Sequence, residues 1–216
     1  MTFLLTPLGD RGITIRLGDG INLDLSEKVV EHARAVSAAA IRGVTDVVAS
    51  YASLGVFYNP LDISFADLAR RLNAVLADEE RIEREASAEG RLIQIEVVYD
   101  GEDLDDVCRR TRLSRDEVVQ FHSQRDYRVF VVGFVPGFAY LGPLDPRLIV
   151  PRRESPRKRV PAGSVAIAEA QTGVYPSAAP GGWNLIGTTT DKMFDPDRDT
   201  PALLNVGDRV RFVPVP

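Results

Sequence analysis

The amino-acid sequence predicts an α+β protein in which a small N-terminal α/β sandwich is followed by a β-rich domain that forms a barrel or a sandwich. Three observations predict this fold class. Strand and helix patterns alternate over the first 90 residues, residues 78–89 are densely charged, and helical periodicity disappears over residues 133–190, where glycine and proline are frequent. We therefore expect two domains, residues 1–90 and residues 91–216, each with its own hydrophobic core.

The N-terminal domain begins with a strand pattern that is followed by a helix. Apolar and polar residues alternate over residues 13–17, which is the period of a strand with one buried face. Ser26 is expected to cap the first helix and Gly43 to end it. Residues 44–51 and 54–58 then predict two further strands.

A second helix is predicted to begin at Ser64, with Asp67 three residues later as a weak capping box. Apolar residues recur at helical spacing over residues 65–76 and form the stripe that would face the core. The charged residues 78–89 are expected to form a solvated tail and then a linker. This order of elements suggests helices that cover one face of an antiparallel sheet.

The C-terminal domain is predicted to begin with a strand over residues 91–99 and two short helices, residues 104–111 and 114–122. Residues 128–134 form a continuous apolar run, which is typical of a strand buried on both faces. Residues 208–213 alternate again and predict a final strand. Many short strands with irregular connections are typical of a barrel or a sandwich.

Composition and charge exclude several classes of protein. The chain has 26 lysines and arginines against 31 acidic residues, a net charge of -5, which argues against nucleic-acid or anionic-membrane partners. The single cysteine, Cys108, excludes an intrachain disulfide and fits a reducing compartment. No stretch approaches the roughly 20 apolar residues of a membrane span, and the N-terminus lacks a signal-peptide pattern. We expect a cytoplasmic protein.

The helix pair at residues 104–122 has the appearance of a DNA-reading helix-turn-helix. Residues 101–119, however, contain six acidic residues against four arginines, and a segment with net negative charge approaches phosphates poorly. The pair also lies between two predicted buried strands. DNA binding is therefore disfavoured.

His122 and the segment GFVPGFAYLG, residues 133–142, each allow two interpretations. His122 ends the second short helix, where it either caps the helix or exchanges protons at the mouth of a site. In the segment, three glycines stand beside Phe134, Phe138 and Tyr140. Such a segment either lines a pocket for a flat ligand or forms a bulged strand at a barrel corner.

Residues 151–161 form the densest positive cluster of the chain and contain Arg152, Arg153, Arg157 and Arg159. This cluster is either a solvated loop or a site for an anionic substrate or a negative partner surface. Further along the chain, Gln171 and Thr172 offer amide and hydroxyl groups to a lactam-like or urea-like ligand, whereas Trp183 can equally be a core anchor after a Gly-Gly turn.

Familiar catalytic fingerprints are missing from the sequence. The chain has two histidines and one cysteine, with no metal-ligand spacing, so no metal site is expected. It contains no Walker A loop, no GxSxG elbow and no GxGxxG motif.

Several segments, taken together and in order, closely resemble the family of the 5-oxoprolinase B-type subunit, also known as allophanate hydrolase subunit 1, the carboxyltransferase domain subunit or KipI-like protein. The segments that carry the resemblance are GFVPGFAYLG (133–142), LDPRL (144–148), PRR (151–153), RVPAGSVAI (159–167), QTGVYP (171–176), PGGW (180–183), PALL (201–204) and GDRVRF (207–212). The sequence departs from the family at Ala139, where proline is common, and at Glu169-Ala170, where Gly-Gly is common.

The resemblance implies a cyclophilin-like β-barrel for residues 91–216. It also implies two partners, the C-type subunit of the same enzyme and a third subunit. Together they would use ATP to open 5-oxo-L-proline to L-glutamate, so that the chain alone is inactive. Two alternatives follow from other members of the family. One is an allophanate hydrolase or urea carboxylase-type subunit, and the other is a KipI-like inhibitor of a histidine kinase.

If the resemblance holds, two residues are expected to be catalytic, with His122 as a proton carrier and Arg159 among the cations that stabilise negative charge on an activated lactam. The remaining predicted site residues bind the substrate through rings, guanidinium groups or polar groups: Phe138, Tyr140, Arg153, Arg157, Gln171, Thr172 and Trp183. The aromatic rings would line the site of the lactam ring, and Gln171 and Thr172 would form hydrogen bonds with its amide group.

Overall fold

A computed structural model of the protein describes residues 3–86 and 90–216. The chain divides into two compact units, Met1–Glu89 and Gly90–Pro216. Within the described residues, no helix combines the length and the apolar character needed to cross a membrane.

The N-terminal unit is an antiparallel sheet of four strands with helices against it, in strand order β1-β2-β4-β3. Its strands and helices, in chain order, are β1 (Leu4–Pro7), β2 (Gly12–Arg16), α1 (Leu23–Ala38), β3 (Val44–Ser50), β4 (Ser53–Tyr58), α2 (Phe65–Leu76) and α3 (Glu79–Ala86). Apolar side chains from β2, β4, α1 and α2 meet in one core that includes Ile13, Ile15, Val29, Leu54, Val56, Leu68 and Leu72. The predicted helix-on-sheet arrangement is therefore confirmed for this unit.

Three boundaries of the N-terminal unit differ from the sequence prediction. Helix α1 ends at Ala38 and not at Gly43, because Ala40 already adopts a left-handed φ of 45°. Helix α1 begins at Leu23 because Asn22 caps it, accepting the backbone N–H of Leu25 at 2.7 Å, so Ser26 lies within the helix. Residues 79–86, predicted as a charged tail, form helix α3. The predicted cap at Ser64 is confirmed, since its side chain accepts the N–H of Asp67.

The C-terminal unit is built on a seven-stranded sheet in the order β12-β9-β10-β7-β6-β13-β5, with a separate two-stranded ribbon, β11-β8. Its elements are β5 (Leu92–Val97), α4 (Leu104–Thr111), α5 (Arg115–Ser123), β6 (Asp126–Val132), β7 (Ala139–Gly142), β8 (Arg157–Val160), β9 (Ser164–Ala168), β10 (Gln171–Val174), β11 (Ala179–Gly181), β12 (Asn184–Thr188) and β13 (Arg209–Pro214), with a short 3-10 turn at Pro146–Leu148.

The first and last strands of this sheet meet, which curls it into a barrel. Val98 directly follows β5, and Thr188 ends β12. The two residues exchange backbone hydrogen bonds of 2.9 and 2.8 Å. Closure of the barrel requires glycine at position 187, next to Thr188, since a Cβ at Gly187 would lie 2.5 Å from the carbonyl oxygen of Val98. The predicted α+β fold with a C-terminal barrel is therefore confirmed.

The two helices that resemble a helix-turn-helix pack on the barrel. Helix α4 contacts β12, and α5 contacts β13. Val107 and Val118, one from each helix, are fully buried in the barrel core. The apolar faces of both helices are thus used by the fold, and Ser114 and Glu117 form a capping box at the start of α5.

Candidate functional site

The C-terminal unit contains a cavity of about 230 Å³ with predominantly aromatic walls. Three loop segments build it, one before β7, one before β8, and one that runs from β10 through β11 to β12. The residues that line the cavity are Phe134, Phe138, Tyr140, Arg152, Pro156, Tyr175, Pro180, Gly181, Gly182 and Trp183. We refer to this cavity as the aromatic pocket.

Phe138 is the central ring of the aromatic pocket. It makes edge-to-face contacts with three other rings, with centroid distances of 4.9 Å to Tyr140, 5.3 Å to Tyr175 and 5.6 Å to Trp183. Phe134 lies 5.7 Å from Phe138 and is 59% exposed, which places it at the mouth. Interlocked rings have few alternative rotamers, so the walls of the pocket are held in place before a ligand binds.

The inner wall depends on a close approach between Tyr175 and Gly181. Tyr175 is buried, and a Cβ at Gly181 would overlap its hydroxyl oxygen. The neighbouring Gly182 has more room, since its Cβ would lie 3.6 Å from Pro156. Glycine is therefore needed at position 181 to let the tyrosine ring stand against the loop.

Two arginines of the positive cluster are bound to the buried carboxylate of Asp103. Nη1 of Arg153 and Nη2 of Arg157 donate to one oxygen of this carboxylate, at 2.6 and 2.8 Å. The other oxygen accepts the backbone N–H of Leu185 at 2.8 Å. Arg157 also pairs with Glu102 at 2.8 Å. These contacts tie the loop before β8 to the barrel wall, and they engage both guanidinium groups.

His122 lies in the interior of the barrel and is fully buried. Its Nδ1 is 2.7 Å from the hydroxyl of Tyr99, and its Nε2 is 2.8 Å from Oγ1 of Thr172. Because the Thr172 hydroxyl donates to the carbonyl of Ala166 at 3.0 Å, Nε2 must carry the proton, and Tyr99 must donate to Nδ1. Burial lowers the pKa of His122 to about 3, so the ring is neutral.

Comparison with known proteins identifies the family. Residues 3–204 match the model of the family described as carboxyltransferase domain, subdomain C and D. The chain belongs to this carboxyltransferase-domain family. Three relatives, each named as the B subunit of 5-oxoprolinase, are 35–48% identical to it. The relative from Bacillus subtilis is 36% identical over 98% of this chain and 92% of its own length.

Two solved structures are similar to the chain. The crystal structure of TTHA0988 is 41% identical, with a TM-score of 0.86 over 95% of this chain, and this chain spans 40% of the length of TTHA0988. The crystal structure of Kluyveromyces lactis urea carboxylase is 20% identical, with a TM-score of 0.74, and matches 99% of this chain but 22% of its own length. The second likeness shows a shared fold.

In this carboxyltransferase-domain chain, the aromatic pocket brings together three of the predicted binding residues, Phe138, Tyr140 and Trp183. Trp183 belongs at the same time to a buried apolar cluster, so it is both a wall of the pocket and a core anchor. The two interpretations of this residue are therefore compatible.

The other predicted site residues lie outside the aromatic pocket. His122 and Thr172 lie in the barrel core because their polar atoms bond to each other and to neighbouring groups. Arg153 and Arg157 are drawn to Asp103. The remaining two do not line the pocket either: Arg159, exposed on β8, and Gln171, half-buried on β10.

Three residues that the sequence predictions did not select are important here, Arg152, Tyr175 and Asp103. Arg152 and Tyr175 line the pocket, and Asp103 binds the two adjacent arginines. The first two lie within the PRR and QTGVYP segments that carry the family resemblance. No sequence motif distinguishes Asp103, because it is one of six acidic residues around the helix pair.

The departure from the family pattern at Glu169 lies at the turn between β9 and β10. Glu169 has a φ of 51°, in the left-handed region that favours glycine. The turn is nevertheless formed, and Ala168 and Gln171 pair across it. This conformation gives a physical reason for the glycine that is common in the family at this position.

Proposed function

We propose that this chain is the B-type subunit of an ATP-dependent 5-oxoprolinase complex that opens 5-oxo-L-proline to L-glutamate together with partner subunits. The observation that carries the proposal is the aromatic pocket, whose volume of about 230 Å³ suits one compact ring. The three relatives named as the B subunit of 5-oxoprolinase support the same assignment.

The aromatic pocket is suited to binding and orienting a lactam. The rings of Phe134, Tyr140 and Trp183 provide apolar contact for the methylene groups of a five-membered ring. A rigid, preformed wall places the bound ring in one orientation, which lowers the entropic part of a reaction barrier. The contribution of this chain would then be positioning of the substrate.

Apart from the hydroxyls of Tyr140 and Tyr175, the described lining of the pocket offers few groups for chemistry on an amide. Among the described residues that line it, none is a carboxylate, a histidine or a cysteine. An amide carbonyl is a poor electrophile, so its hydrolysis requires activation and a general acid or base. We therefore propose that two partners complete the catalytic set, a protein like the C-type subunit of 5-oxoprolinase and a third subunit, and that the isolated chain has no turnover.

The aromatic pocket does not fit ATP. Clefts that hold drug-sized ligands have volumes of roughly 300–1,000 Å³, and the aromatic pocket is smaller, at about 230 Å³. It also presents a single charged side chain, Arg152, to a nucleotide that would carry several negative charges. ATP use is therefore proposed for the assembled complex, and no step of it is placed in this pocket.

The proposal is tested by co-expressing the chain with its two partner subunits and measuring ATP-dependent release of glutamate from 5-oxo-L-proline. The complex should release glutamate and the isolated chain should not. Phe134→Ala, at the exposed mouth of the pocket, should raise KM several-fold. Leu61→Ala, which removes a 93% exposed side chain of the N-terminal unit, is the matched control and should leave KM unchanged.

Three results would contradict the proposal. Full-rate cleavage by the isolated chain would show that no partner is needed. Turnover of urea or allophanate, but not of 5-oxo-L-proline, would favour a urea carboxylase or allophanate hydrolase subunit. Specific capture of a histidine kinase, with no partner subunit in the complex, would favour a kinase inhibitor.

A further inference from the structure

The charge of the aromatic pocket is carried by one residue. Of the described residues that line the pocket, Arg152 alone is charged, and the others are aromatic rings, prolines and glycines. Its side chain is exposed at the rim, so the guanidinium group can be approached from solvent. The pocket thus combines apolar walls with a single positive group at one side.

The neighbouring arginines do not share this role, because they are already neutralised. Arg153 and Arg157 both bind Asp103, and Arg157 also binds Glu102. By contrast, nowhere in residues 3–86 and 90–216 does a carboxylate pair with Arg152. The positive charge at the rim is therefore uncompensated by the described residues, although the chain as a whole has a net charge of -5.

Arg152 also lies close enough to Tyr175 on the inner wall to affect it electrostatically. Burial raises the pKa of the Tyr175 hydroxyl, and that rise is partly opposed by a hydrogen bond with the backbone of Trp183 and, to a smaller extent, by the charge of Arg152. Arg152 thus acts electrostatically on the same ring that packs against Gly181 and Phe138. An anionic group on a ligand seated against these rings would lie within reach of the same field.

We propose that Arg152 is the specificity-determining residue of the aromatic pocket, and that it binds the carboxylate of a small cyclic carboxylic acid whose ring packs against the aromatic walls. A guanidinium group matches a carboxylate with two parallel hydrogen bonds. One cation balances the charge of a carboxylate monoanion, whereas a phosphate dianion would keep an uncompensated charge against the apolar walls. The identification of that acid with 5-oxo-L-proline rests on the proposed function, whereas the preference for a carboxylate does not.

The single tryptophan of the chain provides the test, because Trp183 lies in the pocket wall and its fluorescence reports occupancy. The full chain is titrated with cyclopentanecarboxylate and with cyclopentanecarboxamide, which have the same ring and differ in charge. We expect the carboxylate to bind at least roughly tenfold more tightly, the strength of one charge-assisted contact. Arg152→Gln should remove that preference and leave the weak response to the carboxamide.

Lys158→Gln is the matched control, because it removes an exposed positive charge on β8 that does not line the pocket. It should keep the preference for the carboxylate. Equal responses to both ligands in the native chain, a preference that survives in Arg152→Gln, or no response to the carboxylate up to its solubility limit would each overturn the proposal.

The same variants separate this inference from the proposed function. If the complex releases glutamate from 5-oxo-L-proline at equal KM with native chain and with Arg152→Gln, the function stands and the role of Arg152 fails. If Trp183 reports a carboxylate preference that depends on Arg152 but the complex has no 5-oxoprolinase activity, the role of Arg152 stands and the substrate is a different cyclic acid.

Discussion

Nε2 of His122 lies 2.8 Å from Oγ1 of Thr172 in the interior of the barrel, although the two residues are fifty positions apart in the sequence. The ring of His122 also stacks on Phe212, with centroids 4.5 Å apart, and its Nδ1 accepts the hydroxyl of Tyr99. The polar atoms of the imidazole are thus satisfied without water and without a charge. This arrangement makes the histidine a neutral structural link between α5 and β10.

Protonation of His122 should destabilise the protein. Its pKa falls from the ordinary 6.5 to about 3 on folding, so the unfolded chain takes up a proton first as the pH falls. The neutral His122 side chain contributes its full stabilisation above about pH 6.5. As the pH falls towards 3, this contribution to the free energy of unfolding is lost at up to about 1.4 kcal/mol per pH unit. Urea unfolding followed by Trp183 fluorescence should show this slope, and His122→Gln should flatten it.

His32→Gln is the control for that measurement, since His32 is the only other histidine of the sequence and lies partly exposed on α1. The loss of stability caused by His122 at low pH should persist in this variant. A slope that persists in His122→Gln would mean that another group causes it.

Asp103→Asn should destabilise the C-terminal unit by about 3 kcal/mol. Removing one partner of a buried ion pair costs roughly 3–5 kcal/mol, and the lower end applies because the Arg153 side chain is 34% exposed. Glu102→Gln removes the exposed partner of Arg157 and should cost less than about 1 kcal/mol. Equal losses in urea unfolding would contradict the central role given to Asp103.

Gly181→Ala should disturb the aromatic pocket. The added methyl group would overlap the hydroxyl of Tyr175, and the buried ring would have to move, at a cost of about 1–3 kcal/mol. The emission of Trp183 should shift, because its neighbour Phe138 also contacts Tyr175. Gly182→Ala, with 3.6 Å to the nearest atom, should cause neither change, and an identical shift in both variants would refute the close-contact explanation.

Gly187→Ala should weaken the closure of the barrel. Its Cβ would lie 2.5 Å from the Val98 carbonyl oxygen, which accepts the N–H of Thr188 at 2.8 Å. We expect a loss of about 1–3 kcal/mol in the free energy of unfolding, together with faster hydrogen exchange at Thr188. Gly133→Ala, with no atom within 4 Å, should change stability by less than about 0.5 kcal/mol.

Much of the fold could be predicted from the sequence because the relevant signals are local. Alternation over residues 54–58 located β4 and its buried face, and Ser64 and Ser114 marked the starts of α2 and α5. The boundary errors were local as well. Asn22 competes with Ser26 for the cap of α1, and both residue types serve as caps, so composition does not choose between them.

By itself, the sequence determined the α+β class, the family and three of the rings that meet in the pocket. The tertiary structure decided which arginine faces that pocket. Arg152 and Arg153 are adjacent and chemically identical, and they differ because Asp103, fifty positions before Arg153, is brought by the fold against one of them. Electrostatic pairing depends on distance in space, and neither residue type nor local spacing encodes a distance set by the closure of a barrel.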